Sequence, residues 1–325
     1  MKAPEFWRSE QGGLSAVGLS PLSWVYGLAG KVRRSFSRPW QPSVPVICIG
    51  NVVAGGAGKT PVALDLAQRL HAKGTSICFL SRGYGGSETG PHRVDGDVDR
   101  ADQVGDEPLL LCRQAPTWVS EDRVRGAAAA SDGADVIIMD DGYQNPSLVK
   151  ACSLLVIDGR YGFGNGRLIP AGPLRELPED ALKRADGVII IGKDEAGLVT
   201  FISRAFPDLP VLRTKIVPGP EIKNLTDKPL TAFAGIGQPD KFFRTLTDAG
   251  CNVVTARSFP DHHPYTLSDL ERLRSLAKEN NSQLITTEKD SIRIPKDQCQ
   301  DIEVLTITLQ WEDEAPLQSL LDRLL

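Results

Sequence analysis

The chain has 325 residues, enough for one large domain or two ordinary ones, and 41% hydrophobic with 24% charged residues is usual for a soluble globular α/β protein. A formal net charge of −4 argues against a general nucleic-acid binder, whose footprint would be basic, so no nucleic acid is expected as a partner. Six scattered cysteines without a C-x-x-C pair indicate neither a disulfide framework nor a zinc site, and fit a reducing cytoplasm.

The charge is unevenly spread. Residues 1–40 hold Lys2, Arg8, Lys31, Arg33, Arg34 and Arg38 against Glu5 and Glu10, a net of +4, which leaves −8 for the remainder. A basic head on an acidic body is suited to an anionic surface. Charged residues at 5, 8 and 10 stand where a secretory leader would be apolar, so no leader is expected. Residues 14–30, LSAVGLSPLSWVYGLAG, carry no charge, yet as a helix they reach only about 25 Å, short of the roughly 30 Å hydrocarbon core. With Ser20 as N-cap and Pro21 as the first helical residue, the spacing puts Leu22, Val25, Tyr26, Ala29, Val32 and Phe36 along one stripe. Trp24, Tyr26 and Trp40 suit a membrane interface, and the cations of KVRRSFSR would add up to ~4 kcal/mol at an anionic leaflet. A membrane-associating helix with its basic flank is therefore expected over residues 1–40, lying on the membrane surface. Docking of that helix on the protein's own core is the alternative.

From residue 44 short β-branched runs alternate with helical stretches: VPVICIGNVV as a strand, PVALDLAQRLHAKG as a helix closed by Gly74, TSICFLS as the next strand. Further strands are expected at TWVS, ADVIIMD, CSLLVID, DGVIIIG and LPVLRTKIV, with helices such as EDRVRGAAAAS between several of them. Continuous apolar strands separated by helices imply an α/β fold with a mainly parallel sheet covered on both faces. VPGPEIKNLTDKP reads as a linker, so the larger domain is expected over residues 41–225 and a smaller α/β domain over 226–325. In the latter, LTAFAGIG, CNVVTARS, SQLITTE and IEVLTIT read as strands, with a last helix in the tail.

The strongest motif, GNVVAGGAGKTP at 50–61, lies between a strand and a helix. Its Val53, Ala54, Gly55, Gly56, Ala57, Gly58, Lys59 and Thr60 form a phosphate-binding loop in which backbone N–H groups converge on phosphate oxygens. Lys59 would reach the β/γ-phosphates and the Thr60 hydroxyl would bind Mg²⁺, although Val53 stands where the usual pattern has glycine. ADVIIMDDGYQ ends an apolar strand in Asp140 and Asp141, a Walker B pattern at the carboxyl edge of the sheet, where one Asp would bind Mg²⁺. Gly105-Asp106-Glu107-Pro108 either complements a helix dipole or carries site carboxylates. In Phe259-Pro260-Asp261-His262-His263 a metal site and an acid–His general base are both open, with no spaced third ligand for the metal. The loop from Gly162 to Glu176, rich in glycine and proline around Arg167 and Arg175, suits an anionic substrate, or is a solvated surface loop.

Together PLSWVYGL, GNVVAGGAGKTP, SRGYGG, GDEP, DDGYQ, FGNGRLIPAGPLRE, AFAGIGQPDKFF, FPDHH and TEKD resemble the tetraacyldisaccharide 4′-kinase family of lipid A biosynthesis, over nearly the whole chain. The resemblance implies a P-loop kinase at the cytoplasmic face of the bacterial inner membrane, with two α/β/α domains and the site in the cleft between them. It would transfer the γ-phosphoryl group of ATP to the 4′-hydroxyl of an acylated glucosamine disaccharide phosphate. By position it implies that Lys59 and Thr60 hold phosphates and Mg²⁺, and that Asp140 and Asp141 form the Walker B pair with Gln144 and Glu107 near the metal. Asp106 would be the base on the sugar hydroxyl, supported by His262. The family commonly has His where this chain has Asn145, so any role for a histidine there is lost or moved. A P-loop GTPase or metal-insertion chaperone is the rival reading, but its signature lysine would fall at Ala54 and no N-K-x-D motif is present.

Overall fold

A computed structural model describes residues 4–7 and 13–324; Lys2, Arg8 and Glu10 of the basic head lie outside the described residues. The strands are β1 (Val46–Gly50), β2 (Ile77–Ser81), β3 (His92–Arg93), β4 (Thr117–Val119), β5 (Val136–Asp140), β6 (Cys152–Asp158), β7 (Gly187–Ile191), β8 (Val211–Pro218), β9 (Pro229–Ala234), β10 (Asn252–Ser258), β11 (Gln283–Thr287), β12 (Ile302–Leu305) and β13 (Ile307–Trp311). Nine of them form a sheet in the order β13-β8-β7-β6-β1-β5-β2-β4-β3. It is parallel from β8 to β4 and closed at each edge by an antiparallel strand. β1, β2, β5 and β7 are buried along their whole length because helices cover both faces, which is why they read as unbroken apolar runs.

On one face Leu66 and Leu70, from the helix Lys59–Ala72, pack with Leu317, Leu320 and Leu321 over Ile47, Ile49, Ile138 and Leu154. On the other, Ala127, Ala130, Leu182 and Ile202 cover Cys48, Ile137, Met139 and Leu155. β1 lies between β5 and β6, where the chain order reverses, so the crevice beyond its carboxyl end is the natural ligand site. The second sheet, β10-β9-β11-β12, is parallel, with helices Pro239–Asp248 and Leu267–Glu279 contributing to its two cores.

The tail departs from expectation. Residues 302–308 read as one strand of the smaller domain, but the chain changes sheets at Thr306: β12 completes the second sheet, whereas β13 pairs with β8 of the first. Thr306 donates from N–H and Oγ1 to the Glu221 carboxylate at 2.5 and 2.6 Å, and accepts at its C=O from the Gly219 N–H at 2.9 Å. The two crossings between sheets are thus pinned side by side. Trp311 and the helix Ala315–Asp322 then bury their apolar side chains in the large core, so residues 307–324 pack with the first unit and not with the second.

The helix α1 (Gly13–Ser35) starts earlier than the Ser20 cap implies, and Pro21 lies inside it. Proline lacks the N–H that a helix interior uses, and the packing of the flanking turns against the protein carries the helix through it. Ser23 donates to the Leu168 C=O at 2.8 Å and accepts from the Ala171 N–H, while Arg167 donates to the Ser20 hydroxyl at 2.7 Å. Gly27 continues that seam: a Cβ there would come within 2.6 Å of Leu168. The small, polar side of α1 faces the protein, and the large apolar residues face out, with Trp24 80%, Val25 66% and Leu28 63% exposed.

Three cations of the basic flank turn toward the protein. Lys31 pairs with Asp180 at 3.1 Å, Arg33 donates to the Gln144 C=O at 3.0 Å, and Arg34 meets Glu176 at 3.4 Å. They hold α1 to the domain, so three of the four cations read as a flank for an anionic leaflet, all but Arg38, have partners on the protein itself. Among the described residues no helix is long and apolar enough to cross a membrane.

Candidate active site

The phosphate loop leaves β1 and is built in two halves. In the first, Val53 forms an antiparallel bridge with Leu174 and is buried, Ala54 donates to the Pro173 C=O at 2.8 Å, and Arg175 donates to the Val52 C=O at 2.7 Å. This bracing by residues 173–175 explains why the usual glycine is dispensable at 53: the backbone there is extended and the side chain fills core. It also occupies the Ala54 N–H, which the sequence assigns to phosphate. In the second half, the backbone N–H groups of residues 55–60 have no protein acceptor among the described residues. They precede and open the helix Lys59–Ala72, a set of free donors at a helix start that is able to hold an anion. Gly58 sits at φ 85, with Ile191 2.5 Å from where a Cβ would stand, so only glycine fits the turn.

The two acids after β5 have different surroundings. Asp140 is 1% exposed; its Oδ2 lies 3.5 Å from the Thr60 hydroxyl, and its Oδ1 has no partner. Burial, reinforced by the Glu107 charge, pushes its carboxyl up to about 7 against the pull of Lys59. Asp141, at φ 53, lies 2.9 Å from Arg175 and 3.6 Å from Lys59. Burial works against its ionisation, but Lys59 and Arg175 prevail and hold it below the usual carboxylate range. An orphaned buried carboxylate oxygen beside a hydroxyl fits a divalent cation, whereas Asp141 already has cationic partners.

Gln144, expected beside the metal, is engaged elsewhere: its Nε2 donates to the Asn51 C=O at 2.7 Å and to Glu176 at 3.1 Å. It therefore holds the loop, with Lys59 donating to the Asn51 side chain at 3.4 Å. Asn145 accepts from the Ser147 N–H and hydroxyl at 2.8 and 2.7 Å, which makes it a turn residue. Among the described residues no group of three His, Cys, Asp or Glu side chains gathers as a metal site.

Opposite the loop, the second sheet presents its carboxyl end. His262, in the left-handed region at φ 58, brings Nδ1 to 2.6 Å from Asp106 Oδ2, joining residues 156 apart and from different sheets. Arg293, 4% exposed, adds its charge 3.0 Å from the same oxygen, as an ion-pair contact in which Nε–H is not aimed at the acceptor. Burial opposes ionisation of Asp106, yet His262 and Arg293 hold its carboxyl below the usual range; Asp106 in turn raises the His262 imidazole. Glu107, expected near the metal, is paired with Lys289 at 3.2 Å. The histidines of the motif part company, since His263 bonds Asp269 at 3.1 Å and stacks on Phe259, and the two make no metal pair.

Sequence reasoning placed no role on Lys289, Asp290 or Arg293. A signal was present: TEKD follows the apolar β11, and the carboxyl end of a parallel strand is where site residues collect. Asp290 is fully buried and accepts from the Gly235 N–H, the Tyr265 hydroxyl and the Thr287 hydroxyl at 2.9, 2.9 and 2.6 Å, which fixes the turn that carries its neighbours.

The sequence matches the tetraacyldisaccharide-1-P 4′-kinase family over residues 15–325. The tetraacyldisaccharide 4′-kinase of Paramagnetospirillum magneticum is 51% identical over 329 residues, covering 100% of this chain and 99% of its own length. That of Rhodospirillum centenum is 47% identical, covering 100% and 97%. A crystal structure of the "apo" form of LpxK from Aquifex aeolicus in complex with ATP superposes with a TM-score of 0.76 at 27% identity, over 95% of this chain and 99% of that one.

Proposed function

The chain belongs to the tetraacyldisaccharide-1-P 4′-kinase family, and from that premise we propose how its residues divide the work. It is an ATP-dependent kinase that phosphorylates the 4′-hydroxyl of a tetraacyldisaccharide 1-phosphate, a lipid A precursor. Membership leaves the switch-protein reading without support.

In our reading the N–H groups of residues 55–60 and the Lys59 ammonium bind the β- and γ-phosphates. Thr60 and Asp140 would hold Mg²⁺, which typically takes one or two carboxylates, with waters and substrate phosphates completing its shell. When bound, the ion would supply positive charge to the phosphate oxygens. Asp106 receives the proton of the 4′-hydroxyl as that oxygen bonds to the γ-phosphorus, and His262 holds the carboxylate in position. Such transition states are loose, so a late proton acceptor of low pKa is adequate. Arg175 and Gln144 fix Asp141 and the loop.

The observation that carries this reading is the 2.6 Å contact between Asp106 and His262, because it joins the loop's unit to the other across one cleft. We further propose that α1 rests its outward apolar ridge in the cytoplasmic leaflet of the inner membrane, where the acylated acceptor resides. ATP consumption with and without the disaccharide lipid, in wild type and in Asp106→Asn, tests the assignment. Lipid-dependent consumption that vanishes in the variant is expected; a variant with normal turnover overturns the role of Asp106.

A further inference from the structure

Resting on that kinase reading, we propose that Lys289 is a catalytic residue, a cation carried in by the second unit that meets the transferring phosphoryl group from the acceptor side. The argument starts from position. Lys289 lies just beyond β11, in the turn that buried Asp290 locks through Gly235, Tyr265 and Thr287. From there its ammonium reaches 3.2 Å from Glu107, the neighbour of Asp106, while Arg293 of the same turn contacts Asp106. The ammonium therefore enters the cleft on the acceptor side, beside the neighbour of the carboxylate that receives the proton. The γ-phosphoryl group must arrive at that carboxylate's side to meet the 4′-oxygen.

The chemistry supplies a task for a cation there. As the 4′-oxygen bonds to the γ-phosphorus and the bond to the ADP oxygen breaks, the proton passes to Asp106 and negative charge spreads over three equatorial oxygens. Lys59 faces that charge from the nucleotide side only; it is held toward Asp141 and Asn51. Lys289, 38% exposed in its side chain, is free to exchange Glu107 for a phosphoryl oxygen, and as a flexible four-carbon amine it can follow the group during transfer. Coming from the other unit, it completes the charge balance only when the two units enclose both substrates. A plain tether between the units is the competing explanation for the same 3.2 Å contact.

The two are separated by Lys289→Met, which keeps an unbranched side chain of nearly the same length and removes the charge, and by Lys289→Arg. Turnover is followed with ATP and the disaccharide lipid, and calorimetry gives the affinities for Mg²⁺–ADP alone and for Mg²⁺–ADP with fluoroaluminate, a mimic of the planar phosphoryl group. For Lys289→Met we expect kcat to fall about a hundredfold, with KM for ATP and affinity for ADP within about threefold of wild type. The affinity gained on adding fluoroaluminate should fall by about the same factor as kcat, and Lys289→Arg should restore part of both. A Lys289→Met enzyme within threefold of wild type in either turnover or affinity for the fluoroaluminate complex overturns the proposal and leaves the pair a tether. Failure of the wild type itself to consume ATP in response to lipid would instead remove the kinase reading beneath it.

Discussion

Lys59 shows how far a single residue can be understood from local pattern. Its place after a run of small residues is enough to propose its task, because curled backbone and a helix start are both set within a dozen positions. Removing it in Lys59→Ala should lower kcat at least about a thousandfold, since it offers charge to phosphate and little packing. The melting temperature should stay within a few degrees, because Asp141 keeps Arg175 as a partner. Near-normal turnover by a folded variant would refute the loop assignment. Lys289 and Arg293 are the opposite case: the carboxylates they meet across the cleft, Glu107 and Asp106, lie 182 or more positions away, and no window of sequence brings them together. Asp106 and His262 were each open candidates in their own motifs, but only a resemblance paired them, since nothing in their spacing does. The pair can be read by titration. Asp106 raises the His262 pKa, so that contact stabilises the fold fully below the ordinary imidazole value and is lost as pH rises through the folded one. The lowered pKa of Asp106 acts in the other direction: its contribution is present above the ordinary carboxylate value and lost as pH falls through the folded one. Imidazole resonances followed by NMR should place the His262 midpoint above the usual range, and Asp106→Asn should bring it down. An unchanged midpoint would mean that the two groups do not meet in solution.

At the scale of elements, strands were legible wherever apolar runs were continuous, and these are the strands buried on both faces. The break at Thr306 was not, because hydrophobicity runs through it and the change of sheet is fixed by Glu221, 85 positions earlier. The head was half legible. Its apolar residues were plain, but Ser20, Ser23 and Gly27 look like weak helix formers until the loop they dock on is seen. That docking changes the expectation for membrane binding. With Lys31, Arg33 and Arg34 engaged by the protein, attraction should come mainly from exposed apolar surface and not from charge. Trp24→Ser with Leu28→Ser should cost about 3 kcal/mol of binding to vesicles, roughly a hundredfold in partition, at about 1.5–3 kcal/mol per apolar side chain buried. High salt should release little of the wild type, since exposed charges alone are screened. Complete release by salt, or an unchanged partition in the double variant, would return the helix to an electrostatic or purely structural role.

For the whole molecule, the decisive fact is that the candidate site residues are divided between the two sheets. The loop, Asp140 and Asp106 belong to the first unit, and His262, Lys289 and Arg293 to the second, with the crossings at Gly219 and Thr306 pinned together behind them. A site split in this way acts as a unit only when its halves meet, and the Asp106–His262 contact is where that can be measured. Neither residue is asked to bind nucleotide, so Asp106→Ala and His262→Ala should each lower kcat far more than they raise KM for ATP. A positioned base typically contributes 10²–10⁴-fold, an expected loss of about 3–5 kcal/mol. If His262 acts only through Asp106, its removal has nothing further to take once Asp106 is gone. The double variant should then be scarcely slower than the slower single one, a coupling close to the whole effect of His262. Independent roles would make the losses multiply. Steady-state kinetics on the four enzymes, at saturating ATP and with the lipid varied, distinguishes these outcomes. Fully additive losses, or an Asp106→Ala enzyme within a few-fold of normal kcat, would show that the contact across the cleft is architecture and that the proton goes elsewhere.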